Sequence, residues 1–291
     1  MADPPDCLLL FTKPDRPGRV KTRLVGAPLP GGAGGTVTPE RAAELHAAFL
    51  GDLAARLRTG VDRGAFRLRL AWALDPGEPL PAPPPELAGL PGVDAVRQTG
   101  DDLGTRLHRA LADVARGHRA VAAVGSDHPS LPLARIEEAF AAAAGGRAAL
   151  GPADDGGYYL IALPAAAVAP ELFAGVAWST GRVLEQTLDR CRAAGLDPVL
   201  LAPGRDVDEG PDLTRLAADL ARGGSDAPDG LDCPRTRSLL AAWGCLGAGD
   251  SRTAGAGGDR AADGVAGGPR RRGAEAGNAE RPPRAAAAGS G

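Results

Sequence analysis

The sequence predicts an α/β domain built around an open, mostly parallel β-sheet with helices on both faces. Short apolar runs of strand length alternate along the chain with longer segments whose apolar residues have helical spacing. Parallel strands joined through helices cross over right-handedly, which places helices on both faces of the sheet. Ligands of such sheets bind beyond the carboxyl ends of the strands, so the loops there are the candidates for function.

In chain order, the apolar run 7–11 is the first strand, because it ends abruptly at polar, Pro-rich sequence. Thr38 and Pro39 then open the first helix with a hydroxyl N-cap and a proline at the first helical position. The alternating residues 67–74 form the second strand, and residues 93–98 form a short third strand.

The rest of the chain continues this alternation. Residues 120–125 are small and aliphatic, which is the clearest pattern of a buried strand in the sequence. Further strands are predicted at 148–151, 158–163 and 199–202. Further helices are predicted at 103–115, 132–144, 181–194, 213–221 and 236–243.

The composition argues against several functional classes. The chain has 291 residues, 44% of them hydrophobic, and a formal net charge of -3, which is unlike a protein that coats nucleic acid or an anionic membrane. No apolar run reaches the roughly 20 residues of a spanning helix, and the acidic, Pro-rich start is unlike a secretory signal. The cysteines form no Cys-x-x-Cys pair and fit a reducing compartment, so we expect a cytoplasmic protein without membrane insertion.

Residues 1–246 are predicted to form one domain. From residue 247 onward the sequence consists mainly of Gly, Ala, Arg and Asp, with almost no large apolar side chains. Such a segment cannot offset its ordering entropy by burial. We therefore expect residues 247–291 to be a disordered tail.

The loop after the first strand carries the strongest functional signal. Residues 12–24 contain five cations, a glycine and two hydroxyl side chains, a mixture suited to phosphate. Lys13 and Lys21 are the only lysines of the chain, which indicates that a compact ammonium is needed there, although chance survival is the alternative. Together with Thr22 and Arg23 they are predicted to bind phosphate. The alternative for the loop is a solvated basic surface, and it matches neither Gly-x-x-x-x-Gly-Lys nor Gly-x-Gly-x-x-Gly.

Asp127 follows the buried strand 120–125 and is the candidate metal ligand. A carboxylate in this place can hold Mg²⁺ or Mn²⁺, which would bridge the phosphate oxygens of a nucleotide. The alternative is an N-cap for the helix near Pro132, but Asp127 is too distant from it in sequence for a simple cap. The neighbouring His128 is expected at the surface and not as a ligand.

Residues 151–163 carry a third group of candidates. Two adjacent glycines, Gly156 and Gly157, let the backbone approach a ligand closely. Asp155 before them is predicted to orient or deprotonate the acceptor, and Tyr158 after them to contact it. An Asp-Gly-Gly hairpin turn is the alternative.

Four runs of sequence together resemble a family of bacterial proteins: 11–24, 125–131, 151–163 and 173–180. In this order they resemble the DUF2064 family, also described as rSAM/selenodomain-associated transferase 1 and assigned to the GT-A glycosyltransferase superfamily. The resemblance covers residues 7–245 and implies a GT-A, Rossmann-like fold. This family is distantly similar to phospholactate guanylyltransferases and molybdenum-cofactor nucleotidyltransferases.

The resemblance implies further nucleotide and metal ligands. It places Gln98 at the edge of the base, with Gly104 and Arg106 in the segment that continues from it. The segment 206–208, Asp-Val-Asp, looks like the late acidic motif of nucleotidyltransferases, and the resemblance places its Asp208 as a second metal ligand, with a surface turn as the alternative. The usual Thr-Pro-Glu after this motif is replaced here, at 209–211, by Glu-Gly-Pro, and the Gly-rich start loop of nucleotidyltransferases is absent.

The run 173–180 bears on the acceptor. Trp178, Ser179 and Thr180 could line the acceptor pocket. A core tryptophan followed by a helix cap at Ser179 or Thr180 is the alternative.

Three functions fit these residues. The first is a metal-dependent glycosyltransferase that takes a nucleotide-sugar donor and a small-molecule acceptor, with Lys13, Lys21 and Arg23 at the diphosphate. The second is a nucleotidyltransferase that joins an NTP to a phosphorylated acceptor and releases pyrophosphate. The third is a non-catalytic nucleotide-sensing module, which would keep the cations but would not need Asp127.

Overall fold

The computed structural model describes residues 5–222 and 232–246. The predicted disordered tail, 247–291, lies outside the described residues. Among the described residues, no helix has the length and apolarity needed to cross a bilayer.

In the part of the chain that the structure describes, seven strands form one mixed, mostly parallel sheet, as the alternation of elements predicted. The strands are β1 (Cys7–Thr12), β2 (Arg67–Trp72), β3 (Val93–Arg97), β4 (Ala120–Gly125), β5 (Ala148–Pro152), β6 (Tyr158–Pro164) and β7 (Pro198–Leu200). Their order across the sheet is β3-β2-β1-β4-β6-β5-β7. β6 runs antiparallel to both neighbours, β4 and β5, whereas the other neighbouring strands are parallel. β1 and β4 are therefore adjacent, with their carboxyl ends at the same edge.

Six α-helices accompany the sheet within residues 5–222 and 232–246. They are α1 (Pro39–Asp62), α2 (Leu103–Ala115), α3 (Leu133–Ala144), α4 (Val183–Ala193), α5 (Gly210–Arg222) and α6 (Pro234–Ala242). The predicted start of α1 is confirmed, because the Thr38 hydroxyl accepts from the backbone N–H of Arg41 at 3.3 Å. α5 begins earlier than predicted. The Asp212 carboxylate accepts from the backbone N–H of Asp208 at 3.2 Å and of Glu209 at 2.9 Å, which satisfies donors at this helix start.

The core covers both faces of the sheet because side chains alternate along each strand. Leu8 and Leu10 of β1 pack in one layer with α1 and α3. Leu9 packs in the opposite layer with α2 and α4. A third apolar cluster joins α1 to α5 and α6. This cluster brings the start of α5, and with it the late acidic segment 206–208, next to α1.

Candidate nucleotide and metal site

The carboxyl ends of β1 and β4 open onto a cleft of about 500 Å³. The predicted site residues that line it are Lys13, Lys21, Thr22, Arg23, Gln98, Arg106, Asp127, Tyr158 and Asp208. The cation loop after β1 and the carboxylate after β4 thus face the same space. Neighbouring parallel strands end at the same edge of a sheet, which explains why residues so distant in sequence meet here.

Lys21 lies at the centre of this arrangement. Its Nζ contacts Asp127 Oδ1 at 2.5 Å and Asp208 Oδ1 at 3.2 Å, and donates to the carbonyl oxygen of Val207 at 2.7 Å. Its side chain is only 2% exposed, and Nζ lies 5.3 Å from the centre of the Phe49 ring. Its backbone is left-handed, with φ of 48°, as the chain turns into the short 3-10 helix Thr22–Leu24.

The charges at this site stabilise one another. Burial alone would lower the pKa of Lys21, but the carboxylates of Asp127 and Asp208 outweigh it and raise that pKa. Burial alone would raise the pKa of Asp127, yet the adjacent Lys21 ammonium holds it below its ordinary value. The Lys21 ammonium and the Asp127 carboxylate therefore stabilise each other's charged form, and Asp208 lies against the same ammonium.

Asp206 is a third carboxyl group at the cleft, and we predicted no individual role for it from the sequence. Burial, followed by repulsion from Asp127 and Asp208, raises the pKa of Asp206 to about 7. It also borders a smaller cavity of about 140 Å³ that contains His128 and Tyr159. Its alternation with Asp208 in the segment 206–208 was the only signal in the sequence.

The four cations of the loop other than Lys21 divide into two sets. Arg16 forms an ion pair with Glu78, and Arg19 with Asp75, both in the loop after β2. Lys13 and Arg23 are exposed, line the cleft, and form no ion pair with any described residue. Two arginines thus fix the loop, and two cations remain for an anionic ligand.

Gln98 and Arg106 line the cleft, but both also bind backbone. The Gln98 amide donates to the carbonyl oxygen of Ala71 at 2.8 Å, and Arg106 Nε donates to that of Gly100 at 2.9 Å. Gly104 does not line the cleft. A Cβ there would lie 2.4 Å from Trp178 Nε1, so this glycine serves the packing of α2 on the indole ring.

Asp155, Gly156 and Gly157 lie in the turn between β5 and β6 and do not line the cleft. The Asp155 carboxylate accepts from the backbone N–H of Gly157 at 2.8 Å, as in the hairpin alternative. Gly156 has φ of +82°, and a Cβ there would lie 2.2 Å from the carbonyl oxygen of Gly181. The turn is therefore packed tightly against the segment that leads into α4.

Trp178, Ser179 and Thr180 form the approach to α4 behind the cleft wall. The Trp178 ring stands edge-on to Tyr158 with centroids 6.4 Å apart. Ser179 has φ of 63°, and the Thr180 hydroxyl donates to the carbonyl oxygen of Ala177 at 2.7 Å. Of the predicted acceptor residues, Tyr158 alone lines the cleft, and Trp178 packs against it.

One face of α1 supports the cleft from below, which sequence reasoning missed. His46 Nε2 donates to the carbonyl oxygen of Lys13 at 3.0 Å, and one turn later Phe49 lies beside Lys21. Two turns further, Arg56 donates to the carbonyl oxygen of Pro129 at 2.7 Å. Burial lowers the pKa of His46, which favours the neutral ring. The helical spacing of these residues was the signal that could have found them.

The prediction that His128 lies at the surface is wrong. The ring is buried and stands edge-on to Tyr159, with centroids 5.1 Å apart. Burial lowers the pKa of His128 to about 4, so the ring is neutral at physiological pH. Asp127 does not cap α3, whose N-cap residue is Pro132 without a side-chain hydrogen bond.

The carboxylates fit a hard divalent cation that also binds phosphate. Among the described residues there is no cluster of three His, Cys, Asp or Glu side chains that could hold a metal alone. Mg²⁺ is, however, usually held by one or two carboxylates together with substrate phosphates. Asp127 and Asp208 have 44% and 37% of their side-chain surface exposed, so both can reach a ligand in the cleft.

The family model of DUF2064, described as an uncharacterized protein conserved in bacteria, matches part of the chain. Residues 56–180 match DUF2064. The resemblance inferred from sequence motifs is thereby confirmed over this segment, which holds Asp127 and Tyr158. The cation loop and Asp208, which we included in the resemblance, lie outside the segment that matches DUF2064. No curated protein matches the chain.

The chain is also similar to several solved structures. A protein from Desulfovibrio desulfuricans G20, provisionally assigned as a nucleotide-diphospho-sugar transferase, is 29% identical, with 83% of this chain and 96% of that chain covered and a TM-score of 0.66. A nucleotidyl transferase from Methanothermobacter thermautotroptrophicus is 18% identical over 72% of this chain and 95% of that chain, with a TM-score of 0.44. Rv0371c from Mycobacterium tuberculosis H37Rv, in complex with manganese, is 16% identical over 74% and 98%, with a TM-score of 0.39.

The structure from Desulfovibrio desulfuricans G20, together with the DUF2064 match, supports a GT-A-like fold for this protein, as we predicted. It also supports a nucleotide-dependent transferase as the general kind of enzyme. The other two are too distant to bear on function.

Proposed function

We propose that this protein is a metal-assisted glycosyltransferase that uses a nucleotide-sugar donor and a small-molecule acceptor. One observation carries the proposal. Lys21 contacts Asp127 and Asp208 inside a cleft that Lys13 and Arg23 also line. Exposed cations beside ionised carboxylates are what a diphosphate and its divalent counter-ion require. The provisional assignment of the 29% identical structure as a nucleotide-diphospho-sugar transferase supports this donor.

Different side chains would bind the diphosphate, the metal and the nucleoside of the donor. Lys13 and Arg23 bind the diphosphate, since they are exposed in the cleft without ion-pair partners among the described residues. Asp127 and Asp208 would hold Mg²⁺ or Mn²⁺, which would neutralise charge on the leaving nucleoside diphosphate. Gln98 and Arg106 lie on the same wall and would face the nucleoside.

The acceptor would bind against the wall formed by Tyr158, with Trp178 packed behind it. Gly156, Gly157, Ser179 and Thr180 would act by holding this wall in place. Asp155 would orient or deprotonate an acceptor that extends from the cleft toward the turn between β5 and β6.

A second candidate is nucleotidyl transfer, in which an NTP is attacked at its α-phosphate and pyrophosphate leaves. The observation that favours it is the number of cations. Lys13, Lys21 and Arg23 all line the cleft, which suits the larger charge of a triphosphate. The chain also has one early carboxylate, Asp127, and no Asp-x-Asp at this strand end.

A nucleotide screen followed by product analysis tests the proposal. Thermal unfolding is measured with UDP- and GDP-sugars and with NTPs, each with and without Mn²⁺, since a ligand of the folded state raises Tm. Metal-dependent stabilisation by a nucleotide-sugar, with release of nucleoside diphosphate on turnover, supports glycosyl transfer. Stabilisation by NTPs and release of pyrophosphate would replace it with nucleotidyl transfer. Stabilisation by nucleotide that does not depend on Mn²⁺, without turnover, would indicate a nucleotide-sensing module.

A further inference from the structure

The Lys21 ammonium has no donor left for a ligand. An ammonium carries three N–H donors, and Nζ of Lys21 lies beside three oxygens, at 2.5 Å, 2.7 Å and 3.2 Å. These belong to Asp127, Val207 and Asp208. With a side chain only 2% exposed, Lys21 cannot also contact a phosphate in this position. The phosphate-binding role predicted for Lys21 therefore requires the ammonium to move.

The same ammonium lies between the two carboxylates proposed to hold the metal. A divalent cation bound by Asp127 and Asp208 would meet a positive charge already in contact with both of them. The lysine thus reduces the attraction of this pair for a metal. Its positive charge also offsets the repulsion between the two carboxylates that contact it.

The cleft offers the Lys21 ammonium a second position, nearer to Lys13 and Arg23. Lys21 is in the cation loop and lines the cleft together with Lys13 and Arg23, where the donor phosphates are proposed to bind. A lysine side chain is a flexible four-carbon stem, so a change of rotamer can move its charge by several ångströms once its present contacts are exchanged for others. Phosphate oxygens in the cleft would supply new acceptors for Nζ and would release both carboxylates at once.

We propose that Lys21 is an internal counter-ion that couples the binding of metal and nucleotide. In the free protein the ammonium neutralises Asp127 and Asp208 and keeps metal affinity low. Nucleotide phosphates draw the ammonium into the cleft, and the freed carboxylates then hold the metal. By linkage, each ligand increases the affinity for the other by the same factor. This inference rests on the proposed function, because it needs both ligands in this cleft.

Calorimetric titration of Mn²⁺ into wild type and Lys21→Met tests the coupling. Each protein is titrated alone and in the presence of UDP or GDP. Without nucleotide, we expect Lys21→Met to bind Mn²⁺ about tenfold more tightly than wild type, since the competing charge is gone. With nucleotide, we expect wild type to gain about tenfold in Mn²⁺ affinity and the variant to gain much less, in the usual range of such couplings. Weaker Mn²⁺ binding by Lys21→Met would instead show a fixed lysine that orients the carboxylates, and would overturn the inference.

If Lys21→Met fails to fold, an NMR measurement on the wild-type protein tests the inference instead. Because the chain has only two lysines, selective ¹³C and ¹⁵N labelling of lysine gives two side-chain NMR signals, and a Lys13→Arg variant assigns them. The Lys21 signal should stay in place with Mg²⁺ alone and shift when nucleotide is added. A Lys21 signal that nucleotide leaves unchanged would overturn the inference alone. Failure of wild type to bind nucleotide or Mn²⁺ in any combination would overturn the proposed function as well.

Discussion

The backbone N–H of Val207 donates to the carbonyl oxygen of Asp127 at 3.0 Å. This bond fixes the late acidic segment beside the end of β4, although eighty residues of sequence separate the two. The Val207 carbonyl oxygen in turn accepts from Lys21. Main chain therefore sets much of the geometry of the site, and substitution of its side chains should change its chemistry more than its fold.

Asp127→Asn should abolish metal-dependent turnover and leave the protein folded. It removes the charge that would hold the metal, and loss of one such electrostatic group typically lowers kcat about 10²–10³-fold. Turnover is measured with the donor found in the nucleotide screen, and folding by circular dichroism. Asp154→Asn is the matched control, since Asp154 pairs with Arg215 at 3.1 Å away from the cleft. Full activity of Asp127→Asn would show that the metal assignment is wrong.

Arg23→Ala should weaken nucleotide binding, whereas Arg19→Ala should not. Both arginines belong to the cation loop, but Arg19 pairs with Asp75 and only Arg23 lines the cleft. Loss of a charge-assisted hydrogen bond of about 1.5–3 kcal/mol raises Kd about ten- to a hundredfold for Arg23→Ala. For Arg19→Ala we expect a change within about twofold. Equal effects in a calorimetric titration would mean that the loop acts only through its total charge.

Gly156→Ala should destabilise the protein more than Gly195→Ala. Both glycines have positive φ, but a Cβ at Gly156 meets the Gly181 carbonyl oxygen at 2.2 Å and one at Gly195 meets nothing within 4 Å. The left-handed backbone alone costs about 1–2 kcal/mol for alanine, and the collision at Gly156 adds about 1–3 kcal/mol. Urea unfolding measures the difference. Equal losses of stability would show that the turn moves freely away from the α4 segment.

Asp52→Ala should destabilise α6. The buried Asp52 carboxylate accepts from the backbone N–H groups of Arg235 and Thr236, both at 2.9 Å, and so satisfies the first turn of α6. We expect a loss of about 1–3 kcal/mol in the free energy of unfolding. Asp62→Ala is the control on the same helix, because its ion pair with Arg58 is exposed and contributes little. Similar losses for both variants would contradict the capping role.

Much of the fold follows from local patterns in the sequence. Apolar runs such as 7–11 and 120–125 predict buried strands because only strands buried on both faces are apolar throughout. The N-cap at Thr38 could be predicted because it depends only on neighbouring residues in the sequence. The antiparallel course of β6 is not local, because it depends on which strand β6 pairs with and on the tight turn at Gly156.

Site residues could be predicted where several functional side chains lie in one short segment of sequence. Contacts with residues distant in sequence could be predicted less well. Lys13, Lys21 and Asp127 follow strands whose ends must meet, so their meeting could be inferred. The ion pairs of Arg16 and Arg19 depend on a loop whose path no local pattern defines. His128 was misjudged because its burial depends on Tyr159, thirty-one residues later.

The most direct test of this account is a crystal structure of the protein with Mn²⁺ and the nucleoside diphosphate that stabilises it. Anomalous scattering from manganese locates the metal independently of any assumption about the site. The account predicts a peak coordinated by Asp127 and Asp208, with phosphates in contact with Lys13 and Arg23. Manganese or nucleotide bound away from this cleft, at full occupancy, would contradict it.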